Sequence, residues 1–277
     1  MSDDEILSKY SEVSLLKRGG QRAVYRVTDP KLGVVVLKIG VYSSPEALER
    51  IRREVSVLRG LDSPYFPKNL GFETHGANTF ILLEEYVPSR PLSECLGEFT
   101  VPRRALVLIQ HLVGGLDLLW QKRVVHRDVK PDNILITSDG KPKIIDLGIA
   151  RILDSESLTR TLNTVGPCTP VYAAPEQLRN RRAKIDHRTD QFNLGIIVVQ
   201  LLLGGRHPFD PRCVGRGESI VANILNNLWA NEVFRGLDLP GPWNRLALRL
   251  LGNEPFMRYR TTAELVAALG ACEERKL

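Results

Sequence analysis

The sequence predicts an α+β fold in which a small strand-rich lobe precedes a larger, mainly helical one. Three observations predict it. Short apolar and β-favouring runs recur from Ser14 to Tyr86, with one helical pattern between them. A turn-like Pro88-Ser-Arg-Pro91 marks a boundary, and beyond it helical periodicity dominates.

In order, the strand segments are Val24-Tyr-Arg-Val27, Val34-Val-Val-Leu-Lys-Ile39 and Phe80-Ile-Leu-Leu83. The helix among them starts at Ser43-Ser44-Pro45, a capping residue followed by proline near the first turn. Its Leu48, Ile51, Val55 and Leu58 recur at helical spacing and form one apolar stripe able to pack on a sheet. After the turn, helical patterns cover Ala105 to Gln121 and Asp190 to Leu203, and an amphipathic one covers Thr262 to Leu277. No internal repeat or low-complexity tract is present. The 277-residue length and 43% hydrophobic content support a sizeable core, and one two-lobed domain fits as well as two small ones.

Composition excludes several classes. Cys95, Cys168, Cys213 and Cys272 are too widely separated for a metal-ligand pattern or a small disulfide scaffold, which predicts reduced thiols and a cytoplasmic setting. Met1-Ser-Asp-Asp-Glu5 is acidic where a signal peptide is basic, and neither an apolar leader core nor a myristoylation glycine follows. The most apolar run, Leu194 to Leu203, contains Gln200 and is about half the ~20 residues of a membrane span, so it reads as a buried core helix. Net charge is +6, with a cluster at Arg179-Asn-Arg-Arg-Ala-Lys184. A solvated face is the plainer reading of that cluster, and the 6% aromatic content gives no base-stacking platform for nucleic acid.

The strongest chemical signal is His126-Arg-Asp-Val-Lys-Pro-Asp-Asn133 followed by Ile134-Leu-Ile136. Phosphoryl transfer needs a carboxylate at the acceptor hydroxyl and a metal ligand nearby, and this string offers both. A polar turn also favours Asp, Asn and Pro, but it does not assemble eight such positions in order. On these residues the chain resembles the protein kinase family at its catalytic loop. The resemblance implies that Asp128 positions or deprotonates the acceptor, Lys130 neutralises the transferring phosphate and Asn133 holds a metal ion. Lys130 at this place is similar to serine/threonine rather than tyrosine kinases.

Other landmarks extend the resemblance from about Leu15 to Glu264. Ile144-Ile-Asp-Leu-Gly148 resembles the segment that delivers a second metal ligand, here Asp146. Val35-Val-Leu-Lys38 resembles the third-strand lysine motif, and Glu54 on the predicted helix stands where an ion-pair partner would aim Lys38 at the α- and β-phosphates. Gly19 and Gly20 are what remains of a nucleotide loop whose other glycine positions hold Lys17 and Arg22; read alone, the Gly-Gly pair is a hairpin. Leu82-Leu-Glu-Glu-Tyr-Val-Pro88 resembles the adenine hinge, with the Glu85 carbonyl and Val87 amide as backbone partners and Val24, Val36 and Leu135 around the ring. Glu84 then stands at the gatekeeper position, where a charge is unusual.

The long stretch from Leu147 to Ala173 carries Thr159, Thr161, Thr164 and Thr169 and reads as a functional loop. Its end, Cys168-Thr-Pro-Val-Tyr-Ala-Ala-Pro-Glu176, resembles the kinase substrate platform. There Thr169 bonds to the catalytic Asp and Lys, and phosphate on the earlier threonines is read by Arg127. Asp186-His-Arg-Thr-Asp190 and Pro255-Phe-Met-Arg258 complete the set, with Asp190 expected to anchor the catalytic-loop backbone and Arg258 to pair with Glu176. The Asp-His-Arg-Thr-Asp form looks most like bacterial eukaryotic-like kinases.

The implied whole is a single 1–277 domain of protein-kinase-like, two-lobed fold. Residues 1–87 form an antiparallel-sheet lobe with one helix, nucleotide loop and hinge, and residues 88–277 a mainly helical lobe with catalytic and activation loops. The implied activity is transfer of the ATP γ-phosphoryl group to protein serine and threonine, with Mg²⁺, or Mn²⁺ in its place, and with activation-loop autophosphorylation. No membrane span or nucleic-acid partner is expected, and oligomeric state is open. A pseudokinase scaffold is the alternative, motivated by the degraded glycine loop and Glu84. A small-molecule phosphotransferase lacks the Ala-Pro-Glu platform.

Overall fold

In the computed structural model, residues 3–19, 22–61, 63–146 and 169–273 are described, with only the backbone of Glu54 and Leu58. The described residues divide into two compact units, one up to Pro88 and one from Ser89 on.

The first unit is a five-stranded antiparallel sheet in the order β1-β2-β3-β5-β4. Its strands are β1 (Ser11–Arg18), β2 (Arg22–Asp29), β3 (Gly33–Val41), β4 (Asn69–His75) and β5 (Thr79–Glu85). Period-two alternation gives the sheet two faces. On one, Ala23, Tyr25, Val27, Val35, Leu37, Ile39 and Ile81 form a core. It is closed by Ile6 from a short helix, α1 (Asp3–Leu7), which the sequence patterns do not predict. This lobe therefore has two helices among its described residues, not one. Five residues with a single buried side chain carry no helical periodicity to read.

The other face packs Phe80 and Leu82 on Ile51 and Val55 of α2 (Pro45–Arg59). The Ser44 hydroxyl caps that helix by accepting from Ala47 N–H at 3.2 Å, as the Ser-Ser-Pro signal requires. Gly40 lets the Phe80 ring lie against the β3 backbone, since a Cβ there would collide with it. The alternation puts Val24, Val36, Lys38, Leu82 and Glu84 on this same face.

The second unit holds a three-stranded antiparallel sheet in the order β6 (Ser89–Pro91), β7 (Ile134–Thr137), β8 (Pro142–Ile144). Around it lie α3 (Leu92–Cys95), α4 (Pro102–Gln121), α5 (Pro175–Leu178), α6 (His187–Leu202), α7 (Pro211–Val214), α8 (Ile220–Leu225), α9 (Asn231–Arg235), α10 (Gly241–Leu250) and α11 (Thr262–Glu273). Every residue of α6 from Thr189 to Leu202 is buried, so the apolar run is a core helix. Gly195 permits this: a Cβ there would stand 2.7 Å from Leu250 Cβ on α10. No helix among the described residues is long and apolar enough to cross a membrane. Cys95, Cys213 and Cys272 are free thiols, all buried.

The basic cluster is not simply a solvated face. Glu254 gathers it, accepting from Arg181 at 2.9 Å and Lys184 at 2.7 Å, while Arg179 donates to Leu225 O at 2.6 Å.

Candidate active site

The catalytic-loop string folds into an extended connection between α4 and β7, ending in a short 3-10 turn at Pro131–Asn133. Three polar groups converge on the Asp128 carboxylate. Lys130 Nζ lies 2.8 Å from Oδ2, Asn133 Nδ2 donates to the same oxygen at 2.9 Å, and Thr169 N–H approaches Oδ1 at 3.4 Å. Lys130 Nζ also donates to the Thr169 hydroxyl. The structure thus brings Asp128, Lys130, Asn133 and Thr169 into one cluster although Thr169 is remote in sequence.

Backbone clamps explain why this loop holds its shape. Arg127 has φ +66°, a left-handed conformation that costs a non-glycine residue about 1 kcal/mol or more and persists only where its surroundings impose it. Asp190, fully buried on α6, accepts from Arg127 N–H at 2.7 Å, His126 N–H at 2.9 Å and Trp120 Nε1–H at 2.9 Å. Gln177 Nε2 secures the other side of the residue through Arg127 O at 3.0 Å. Asp190 is therefore an internal anchor; the α6 N-cap is Asp186, whose side chain accepts from Arg188 N–H. The Arg127 guanidinium itself is exposed and has no ion pair among the described residues.

Two contacts carry the clamp onward to Asp146. Buried His126 donates from Nε2 to Ile145 O at 3.0 Å while its Nδ1 accepts from Asp128 N–H at 3.3 Å, and Ile145 N–H donates to Asn133 O at 2.9 Å. Asp146 follows at φ +60°, half-buried. His126 and Gln177 were not singled out from sequence, because each acts through backbone contacts that the motif does not spell out.

A divalent ion fits the donors present. Asn133 Oδ1 is buried with no hydrogen-bond partner among the described residues, while its Nδ2 is committed to the Asp128 carboxylate and carbonyl, each at 2.9 Å. A neutral amide oxygen left unpaired beside a carboxylate suits a hard cation.

The segment around Glu176 is held by buried contacts. Glu176 and Arg258 form a buried bidentate pair at 2.7 and 2.9 Å, with Thr189 donating to Glu176 at 2.8 Å and Arg258 lying 4.9 Å above the Phe192 ring. Burial pushes the Tyr172 phenol up to about 12 and lowers the neighbouring His207 to about 4. Both groups are uncharged at neutral pH.

In the first unit, Lys38 is buried on β3 and its Nζ lies 2.6 Å from Glu84 Oε2 on β5. Glu54 is on α2, but its side chain lies outside the described residues. Gly19 N–H donates to Arg22 O at 2.8 Å, next to the end of the β1–β2 ladder at Arg18–Ala23. Gly20 lies outside the described residues. Val24 is buried and Val36 half-buried on the Lys38 face. β5 ends at Glu85, whose N–H donates to Lys68 O at 2.9 Å; Val87 follows, buried, before Pro88. Leu135 sits half-buried on β7 of the second unit. Thr159, Thr161 and Thr164 lie outside the described residues.

Comparison with known proteins agrees with the motifs. A family model described as "Protein kinase domain" matches residues 10–244. The chain is 30% identical over 274 residues to serine/threonine-protein kinase PrkC of Bacillus subtilis, covering 95% of this chain and 40% of that protein. It is 27% identical over 271 residues to a probable serine/threonine-protein kinase of Clostridium perfringens, covering 95% and 38%. With serine/threonine-protein kinase PknA of Mycobacterium tuberculosis it shares 31% over 274 residues, covering 95% and 61%. The chain thus spans less than two thirds of each of these relatives.

Proposed function

The chain belongs to the protein kinase domain family, and from that premise we propose that it is an active serine/threonine kinase, transferring the ATP γ-phosphoryl group to protein hydroxyls. The observation that carries this reading is the convergence of Lys130, Asn133 and Thr169 on the one carboxylate of Asp128. The serine/threonine names of the relatives support the choice of acceptor.

Asp128 accepts the proton of the acceptor hydroxyl and orients its oxygen for in-line attack. Lys130 balances negative charge on the transferring group, and Thr169 holds Lys130 and the acceptor-side backbone in register with Asp128. Lys38 contacts the α- and β-phosphates; Gly19, Gly20, Val24, Val36, Leu135 and the Glu85 and Val87 backbone hold the rest of the nucleotide. Asn133 and Asp146 hold Mg²⁺, which when bound supplies positive charge against the phosphate oxygens. Arg127, exposed beside the catalytic carboxylate, receives phosphate placed on Thr159, Thr161 or Thr164 by autophosphorylation. A pseudokinase reading draws on the degraded glycine positions and the charge at Glu84, but the retention of Lys38, Glu54, Asp128, Asn133 and Asp146 speaks against it.

The test is incubation of purified protein with γ-labelled ATP, Mg²⁺ and a generic acceptor protein, followed by mapping of the modified residues. Phosphoserine and phosphothreonine are expected on the acceptor and on residues 147–168. Absence of label above a protein-free control overturns the reading.

A further inference from the structure

Lys38 meets a carboxylate that no kinase motif places there. The Lys38 and Glu84 side chains retain only 4% and 13% of their exposure, with Nζ and Oε2 2.6 Å apart. Sheet register sets the pair. Val36 stands opposite Glu84 and Lys38 opposite Leu82, so Lys38 and Glu84 are diagonal neighbours on one face of adjacent strands. The β3–β5 pairing runs without a shift from Val35–Glu85 to Val41–Thr79, so one ladder holds both ends of the contact. A helix-borne glutamate orients a strand lysine only while the helix keeps its place; a glutamate on the neighbouring strand has no such dependence.

We propose that Glu84 is a positioning residue for phosphoryl transfer, the carboxylate that aims Lys38 Nζ at the phosphates of ATP. This rests on the kinase reading above. An ammonium has three N–H donors and a carboxylate such as Glu84 occupies one of them, so holding Glu84 does not by itself exclude contact with phosphate oxygens. A lysine carries much rotamer freedom on its four-carbon stem, and a short charge-assisted bond removes a large part of it before the nucleotide arrives. Glu84 is also an anion beside the place where anionic phosphates bind. It therefore orders the lysine without adding to nucleotide affinity, so its loss falls on kcat and not on KM for ATP.

The experiment measures kcat and KM for ATP, per folded molecule and with melting curves, for wild type, Glu84→Gln, Glu84→Asp and Glu54→Gln. Expected is a kcat lower by on the order of tenfold in Glu84→Gln with KM for ATP no higher, and partial recovery in Glu84→Asp. Glu54→Gln loses less than Glu84→Gln. Wild-type kcat per folded molecule in Glu84→Gln, or a rise in KM alone, overturns the proposal. If Glu84→Gln does not fold, Glu84→Asp decides: a lowered kcat with an intact melt supports positioning, and an unchanged kcat refutes it. A transferring wild type with an unaffected Glu84→Gln refutes this inference only, whereas an inert wild type refutes the kinase reading and the inference with it.

Discussion

In the second unit, Asp128 is met by groups from its own loop and from Thr169, and the loop backbone is clamped by Asp190 and Gln177. In the first, Lys38 meets Glu84 through the pairing of two strands separated by a helix and a third strand. Lys130 and Asn133 meet Asp128 from within five residues along the chain, while Thr169, Gln177 and Asp190 reach the loop from 41 or more residues away. The lysine contact exists only once the sheet has chosen its register. A contiguous motif therefore carries Asp128, Lys130 and Asn133 together, whereas no contiguous pattern carries Lys38 with Glu84.

The comparison sharpens in stability. Replacing Arg258 by Ala leaves Glu176 as an uncompensated buried charge and is expected to destabilise by roughly 3–5 kcal/mol. Arg18→Ala on the sheet, whose partner Asp3 is 3.1 Å away and whose own side chain is 59% exposed, is expected to change stability by less than ~1 kcal/mol. Chemical denaturation of both variants checks this. Comparable losses would show that the platform pair is not the structural anchor its burial implies.

A smaller effect concerns Arg127. Phosphatase treatment is expected to lower transfer to an exogenous acceptor several-fold, because a phosphothreonine brings about −1.5 to −2 charges to an exposed guanidinium. Arg127→Ala should abolish that difference. Equal rates before and after treatment would remove Arg127 as a phosphate receptor.

What was legible in the sequence follows the same division. The string from His126 to Asn133 is contiguous, so its members could be named together, and Asp190 and Arg258 could be placed from their own short motifs. α6 was legible as a core helix because its apolar run is long, although its start at His187 lies three residues before the Asp190 taken from the pattern. β1 was missed: every residue of this edge strand is exposed, including Leu15 and Leu16, so no in-out alternation marks it. Glu84 was noticed as an odd charge, but its partner depended on the β3–β5 register, which no local pattern reveals. The left-handed Arg127 and Asp146 were equally invisible, since tertiary clamps impose those dihedrals against residue preference.

The central claim is that Asp128 and its cluster perform phosphoryl transfer with Lys38 and Asp146. The direct measurement is the initial rate of γ-phosphoryl transfer to an exogenous protein by wild type, Asp128→Asn, Lys38→Met and Asp146→Asn, each purified identically and shown to melt cooperatively. Each variant is expected to fall by on the order of 10²-fold or more while remaining folded, because each loses charge stabilisation or positioning in the transition state. Wild-type rates in all three, with contaminating kinase excluded, would contradict the account.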